Sequence, residues 1–372
     1  MRAVAAFPAE KKLRLIHRKP PSLEADTEVL VRIVDVGVCG TDREIARFDY
    51  GTPPRHANHL EIGHESLSQV VETGPGVTRV KPGDLVVLTV RRPCGHAWCR
   101  ACQEGRQDFC FSGDFTERGI KGRHGYMTEL VVDDERFAHV VPPGLRDVGV
   151  LVEPLTIAEK ALTQVWDVQD RMPWTVPGHP PGAKHARRAV VVGAGPVGLL
   201  GAMALRVRGF ETWVYSREPA NGPRAQWVQS VDARYVSSED ATPAQLAEQV
   251  GNIDLVYEAT GASGISFRMI EVLGVNGVFI FTGVPGRKAP IEVDADLIMR
   301  NLVLKNQLVF GTVNAGPASF DAAIEDLAKF DQCWPKPLRS LIAPRHAPEE
   351  FEALLLGPPS GIKHVIAFGE PR

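Results

Sequence analysis

The sequence predicts an α/β protein built from a mostly-β first domain and a doubly wound parallel sheet. Three observations carry that reading. At 372 residues the chain is too long for one hydrophobic core and suits two domains. Its first 150 or so residues read as short strands punctuated by Gly and Pro. From Ala189 onward, strands alternate with helical stretches, the pattern of right-handed parallel crossovers.

In chain order, "EVLVRIVDVGVCG" alternates in part and reads as a strand, and "VVETGPGVTRVKPGDLVVLTV" as two strands split by turn residues. Apolar spacing over about Leu151–Val168 suits a helix. "DRMPWTVPGHPPGAKHARR" is rich in Pro and Gly and reads as a linker. Six strands follow: "AVVVG", "ETWVYS", "ARYVSS", "IDLVYEATG", "GVFIFTG" and "LVLKNQLVFGTVN". After Asn314 one further helix and a closing strand, "KHVIAFG", are expected.

Bulk composition narrows the function classes. A net charge of −3 and no basic stripe argue against nucleic acid or an anionic membrane as partner. The longest apolar candidate, "AVVVGAGPVGLLGAMALRV", is cut by four glycines and an arginine, so no membrane span is expected. The N-terminal segment lacks the order of a secretory signal, which points to the cytoplasm, where disulfides are rare.

"VVVGAGPVG" places Gly193, Gly195 and Gly198 in a G-x-G-x-x-G pattern between an apolar strand and a helix that begins at Pro196 and Val197. In that context the first glycine permits a tight turn, the second lets backbone approach a pyrophosphate, and the third lets helix and strand pack closely. A dinucleotide cofactor is expected. Its ribose is read near the end of the second strand, where NAD enzymes carry an acidic residue. Here "VYSREP" offers Ser216 and Arg217, a hydroxyl and a guanidinium that suit the 2′-phosphate of NADP. Glu218 pulls the other way, so NAD stays open.

Four of the six cysteines, Cys94, Cys99, Cys102 and Cys110, follow C-x4-C-x2-C-x7-C spacing. Four thiolates so close form a closed tetrahedral zinc cage that supplies folding energy and no Lewis acidity. His96 lies inside the cluster and could replace one sulfur. The chemistry must then lie elsewhere, and "GVCGTDRE", "EIGHES" and "VLVEPLT" offer Cys39, His64, Glu65 and Glu153. One sulfur, one nitrogen and a carboxylate make a three-ligand zinc site with an open position, where a bound alcohol would lose its proton more readily.

"CGTD", "GHE", "GDLVVL", the cysteine lobe and "VVVGAGPVG", in that order, make the chain resemble the zinc-containing medium-chain dehydrogenases over nearly its whole length. Within them it is most similar to the archaeal-type glucose 1-dehydrogenases, through "VRRPCG", "GRQDFC", "GIKGRHGYM", "VEPLTIAEKAL" and "VFGTVNAG". The resemblance implies a GroES-like catalytic domain over 1–155 with its zinc lobe at 93–110, a Rossmann domain over 156–314, and a return to the catalytic domain over 315–372. It implies a catalytic zinc on Cys39, His64 and Glu153, with Glu65 beside the metal and able to exchange into its shell. Thr41 would pass on the substrate proton and Asp42 would orient the histidine. Sugar contacts are implied at Asp114 and Asn314, also at Thr41, Thr89, Glu117, His124 and Glu153, and further cofactor contacts at Thr260, Gly283, Val284 and Asn314.

Three departures matter. Glu44 stands where many alcohol dehydrogenases have a histidine, Glu153 where they commonly use a second cysteine, and the brace has two extra residues between its first and second cysteines. The function expected is zinc-dependent oxidation of an aldose at C1 to the lactone, with NADP or NAD and two zincs per chain, in a homodimer or homotetramer. A polyol or secondary-alcohol dehydrogenase is the alternative within the family, and a non-catalytic zinc-binding or structural protein the alternative outside it.

Overall fold

A computed structural model describes residues 1–172, 187–286, 290–358 and 361–369, and separates the chain into two compact units. The first unit comprises Met1–Thr156, Asn314–Asp331 and Leu338–Arg372. The second comprises Ile157–Val313 and Gln332–Pro337. Most of the segment expected to be a linker lies outside the described residues.

In the first unit a seven-stranded sheet is organised around Glu28–Gly37, which pairs antiparallel with Glu65–Thr73, Lys363–Ala367 and Leu130–Asp134. The strand is almost wholly buried, as its Val/Ile-rich sequence demands. Val31, Ile33, Leu60, Val86, Tyr126 and Met127 lie in the core beneath it. The pairing with Glu65–Thr73 carries register shifts and ends on Gly37 opposite Glu65. That register brings the segment after Gly37 beside the start of the neighbouring strand, which is what assembles the site described below.

The second unit is a six-stranded parallel sheet in the order Arg234–Ser237, Glu211–Ser216, Arg188–Val192, Leu255–Glu258, Val278–Phe281, Leu308–Gly311. The order reverses at the Arg188–Val192 strand, which is the doubly wound arrangement. Val190, Val192, Trp213, Tyr215, Val256 and Phe279 form its buried core.

The structure corrects three expectations. The stretch 302–314 is not one strand: helix Ala295–Leu304 occupies its start and the strand is only Leu308–Gly311. Asp294 caps the helix by accepting the Leu297 N–H at 2.9 Å, and Asn306 at φ 49° turns the chain out of it. Among the described residues beyond Asn314 there are three α-helices and an extra strand, because Pro335 interrupts the first helix after Pro317–Cys333. The return over 315–372 is also broken, since Gln332–Pro337 clusters with the second unit. There Trp227 Nε1 donates to the Pro337 carbonyl at 3.0 Å and Trp334 Nε1 to Asp232 at 3.1 Å.

Candidate metal and dinucleotide sites

Cys39 lies two residues past strand Glu28–Gly37, at the N-cap of helix Gly40–Ala46, while His64 immediately precedes Glu65, the first residue of the paired strand. Their ligand atoms all lie within 4.8 Å of one another. Asp42, fully buried, fixes two of the three: its Oδ2 accepts the Cys39 N–H at 2.8 Å and its Oδ1 lies 3.2 Å from His64 Nδ1. With Nδ1 bound to a carboxylate, the imidazole can present Nε2 to a cation. Glu65 is ion-paired with the buried Lys363, whose ammonium also reaches the Val38 carbonyl at 3.3 Å. A side chain at position 37 would collide with Glu65 Oε2, so only glycine lets the carboxylate stand there.

The electrostatics fit a divalent cation. Burial alone lowers the His64 pKa, yet Asp42 and Cys39 raise it well above the usual histidine range. Burial, with Glu65 and Asp42 adding to it, pushes the Glu153 carboxyl up to about 7 against the pull of His64 and Lys363. Glu153 stands in the first turn of helix Val152–Gln169, outside the three-ligand group but coupled to it by charge. Acidic groups thus crowd a small interior space, and a thiol, an imidazole and a carboxylate converge in it, which is a zinc donor set with room for a further ligand. Thr41 sits half-buried in the first turn of the same helix as Asp42.

The four cysteines of the lobe also converge, with ligand atoms within 4.8 Å and Cys99 Sγ 3.8 Å from Cys110 Sγ. All six cysteines of the chain are free thiols. Burial and the neighbouring thiols push Cys102 up to about 12, whereas for Cys110 the Ser112 contacts outweigh burial and bring it down to about 6. The His96 side chain makes its contacts outside the four-cysteine group. Its Nε2 lies 2.7 Å from Asp114 and its ring stacks on Trp98.

A third group, His59, Glu61 and His124, spans a similar distance but is committed to other bonds. Glu61 is ion-paired with Arg18 at 2.6 Å, and His124 Nδ1 accepts the Glu61 N–H at 3.1 Å. That bond puts the ring proton on Nε2, where it blocks ligation.

In the second unit, strand Arg188–Val192 runs into Gly193 at φ 109°, and Gly195 caps helix Pro196–Val207. A side chain at Gly198 would strike the Gly193 carbonyl, so the close packing expected of the third glycine is present. Gly195, Pro196 and Val197 are half-exposed at the helix start, where free N–H groups can meet a pyrophosphate. Ser216 ends the second strand and donates to Glu218, with Arg217 exposed between them. Thr260 donates to Glu258 at 2.5 Å, Gly283 packs on Gly261, and Val284 is exposed.

Residues 146–368 match the family model "Glucose dehydrogenase C-terminus" and residues 25–143 match "Alcohol dehydrogenase GroES-like domain". A glucose 1-dehydrogenase of Methanocella arvoryzae is 37% identical over 99% of this chain and 100% of its own length. The chain belongs to the glucose dehydrogenase family. The Haloferax mediterranei glucose dehydrogenase, solved in complex with NADP, Zn and gluconolactone, superposes with a TM-score of 0.88 at 32% identity over 100% of both chains. An Escherichia coli galactitol-1-phosphate dehydrogenase, at 19% identity and a TM-score of 0.78 over 99% of this chain and 100% of its own, shares the fold.

Set in this family, the expected sugar positions fare unequally. Glu117 and Asn314 meet, with Asn314 Nδ2 donating to Glu117 at 3.1 Å. Thr89 is fully buried and its hydroxyl accepts from Arg92 at 3.0 Å. Asp114 is turned outward, 68% exposed, and held by His96. His124 is engaged with the Glu61 backbone. Sequence reasoning missed Lys363, whose signal was a lone lysine in the apolar run "KHVIAFG". It also missed Arg224, in the first turn of helix Pro223–Gln229, which donates to the Ala194 carbonyl at 2.9 Å inside the glycine turn.

Proposed function

We propose that this chain oxidises an aldose, glucose foremost, at C1, turning aldose and NADP⁺ or NAD⁺ into lactone, reduced cofactor and a proton. The observation that carries the reading is the convergence of Cys39, His64 and Glu65, with Asp42 behind the histidine. Zinc held there supplies Lewis acidity toward the anomeric hydroxyl. Asp42 keeps the imidazole oriented, and Thr41, its neighbour in the same helix, would carry the hydroxyl proton onward. Because Glu65 shares its charge with Lys363, Cys39 and Glu153 are left to balance a dication. Glu117 and Asn314 offer paired polar groups to sugar hydroxyls, which an apolar alcohol pocket would leave unsatisfied. Gly193, Gly195 and Gly198 shape the pyrophosphate turn, with Ser216 and Arg217 at the ribose and Thr260, Gly283 and Val284 along the nicotinamide half. The four-cysteine lobe is a zinc brace.

Copies associate, in this reading, as a homodimer or homotetramer through helix Ala295–Leu304, where Met299, Val303 and Leu304 are 65, 74 and 67% exposed. Sedimentation as a monomer would remove that part. We place the chain in the cytoplasm, in keeping with six free thiols. No helix among the described residues is long and apolar enough to cross a membrane.

The test is a steady-state panel of glucose, galactose, xylose, sorbitol and simple alcohols with both cofactors. Aldoses should give the highest kcat/KM, and a clear preference for sorbitol or a secondary alcohol would replace the reading with the alternative. Cys39→Ser should abolish turnover while the lobe keeps its zinc. Full activity in that variant would exclude catalysis at this centre.

A further inference from the structure

His64 stands at the end of a short backbone run, residues 60–63, that is laced to a second run, residues 124–127. The Gly125 N–H donates to the Glu61 carbonyl at 2.8 Å, the Met127 N–H to Ile62 at 2.9 Å and the Tyr126 N–H to Gly63 at 2.9 Å. Gly63 itself adopts φ 92°, and a side chain at position 119 or 125 would strike its carbonyl. The run has no room to shift on that side. Among the described residues one side chain bonds to its backbone: His124 Nδ1 accepts the Glu61 N–H at 3.1 Å, three residues ahead of His64.

The surroundings of His124 favour that bond. Its ring stacks on His59 at 5.0 Å, His59 stacks on Phe7 at 5.2 Å, and the Arg14 guanidinium covers Phe7 at 4.6 Å. Burial brings the His124 pKa down to about 4, with the charges of His59, Arg18 and Arg118 acting the same way. The ring is therefore neutral near pH 7 and Nδ1 keeps its lone pair. The Glu61 carboxylate, within 4.8 Å of both imidazoles, is ion-paired with Arg18 at 2.6 Å. Glu61 is 1% exposed, so its N–H has no water to turn to if the imidazole is lost.

We propose that His124 is a positioning residue for His64, through the acceptor that fixes Glu61 and with it the backbone run leading to the metal ligand. This rests on the zinc reading of Cys39, His64 and Glu65. Asp42 aims the His64 ring from helix Gly40–Ala46, whereas His124 sets where the His64 backbone stands. The resemblance implies a sugar contact at His124, and this bond gives the residue a task that needs no sugar.

The test is equilibrium dialysis against a zinc chelator, with the lobe zinc as internal reference and Cys39→Ser marking what the lobe alone retains. His124→Phe keeps a stacked ring and removes the acceptor. It should weaken the catalytic zinc about tenfold, the lower end of what outer partners of a metal ligand contribute, and leave the lobe zinc and NADPH binding as they were. His124→Asn loses the ring but sets an amide oxygen where Nδ1 stood, and should keep the native affinity. If the Phe chain does not fold, His124→Gln takes its place with the same expected loss, because its amide oxygen lies a bond farther out. Native affinity in the chain without the acceptor overturns the proposal. Equal loss in that chain and in His124→Asn also overturns it, since the bulk of the ring would then be the cause. If the native chain and Cys39→Ser hold the same number of zincs, the metal reading fails first and takes this proposal with it.

Discussion

Asp42 has no solvent exposure, and its two oxygens are divided between the Cys39 backbone and the His64 ring. Its value therefore lies in geometry. Asp42→Asn keeps the shape but puts an N–H where one acceptor stood, so His64 loses its tautomer lock. Zinc affinity at the catalytic centre should fall 10- to 100-fold, on the order seen when such outer partners of a metal ligand are lost. Equilibrium dialysis against a chelator would measure it, and an unchanged affinity would show that the Asp42–His64 contact is incidental. At this scale the sequence was informative where residue type and chemistry coincide: Cys39, His64 and Glu65 are scarce groups in a suggestive order, and the fold gathers them. It was uninformative where a polar residue serves the interior. Nothing in "LTVRRP" distinguishes a Thr89 that meets solvent from one that is buried and accepts from Arg92.

Among the elements, the glycine turn and the cysteine lobe are the most constrained by local chemistry. Gly198 lies against the Gly193 carbonyl. Gly198→Ala should push helix Pro196–Val207 away from its strand, weakening binding of either nucleotide at least tenfold, of the order of 1.4 kcal/mol. Fluorescence titration with NADPH and NADH would register the loss, and undiminished binding would mean the helix start plays no part in holding phosphate. The lobe makes a contrasting case. Cys99 is buried among the other three thiols, so Cys99→Ser should cost one zinc per chain and lower the melting temperature, while the remaining zinc stays with Cys39 and His64. Metal analysis with a thermal scan would check both. Loss of two zincs together would show that the centres are not independent. Strands with strong β-branched runs were legible because periodicity and turn chemistry agree. The stretch 302–314 was not, because "LVL" is equally apolar in helix Ala295–Leu304, and the boundary depends on one asparagine at positive φ.

Across the whole molecule the two units differ in how much local pattern can reveal. The parallel sheet follows from alternation of strands and helices, since right-handed crossovers leave few arrangements. The first unit's sheet is built from pairings far apart in sequence, such as Glu28–Gly37 with Lys363–Ala367, which no local period encodes. Its stability depends on a buried charge cluster that sequence could not reveal. Asp133, 4% exposed, is ion-paired with both Arg92 and Arg118, the latter at 2.8 Å. Burial would raise its pKa, but the two guanidinium groups outweigh that and hold the carboxyl well below the usual range. An unfolded chain would take up this proton near the ordinary aspartate value of about 3.9. Below that pH the unfolded state binds more protons than the folded one, so the contribution is whole at neutral pH, starts to drain at about 4 and goes on falling toward the lower folded-state value. The Asp133 share of the urea midpoint, read as the difference between the native chain and Asp133→Asn, should accordingly be flat from pH 7 to 5 and shrink at pH 3. Asp133→Asn should lower the midpoint at pH 7 by an amount equivalent to about 3–5 kcal/mol, because it strands two buried arginines, and it should flatten the fall at acid pH. A variant that keeps the full acid-side drop would place the acid-labile group elsewhere in the chain.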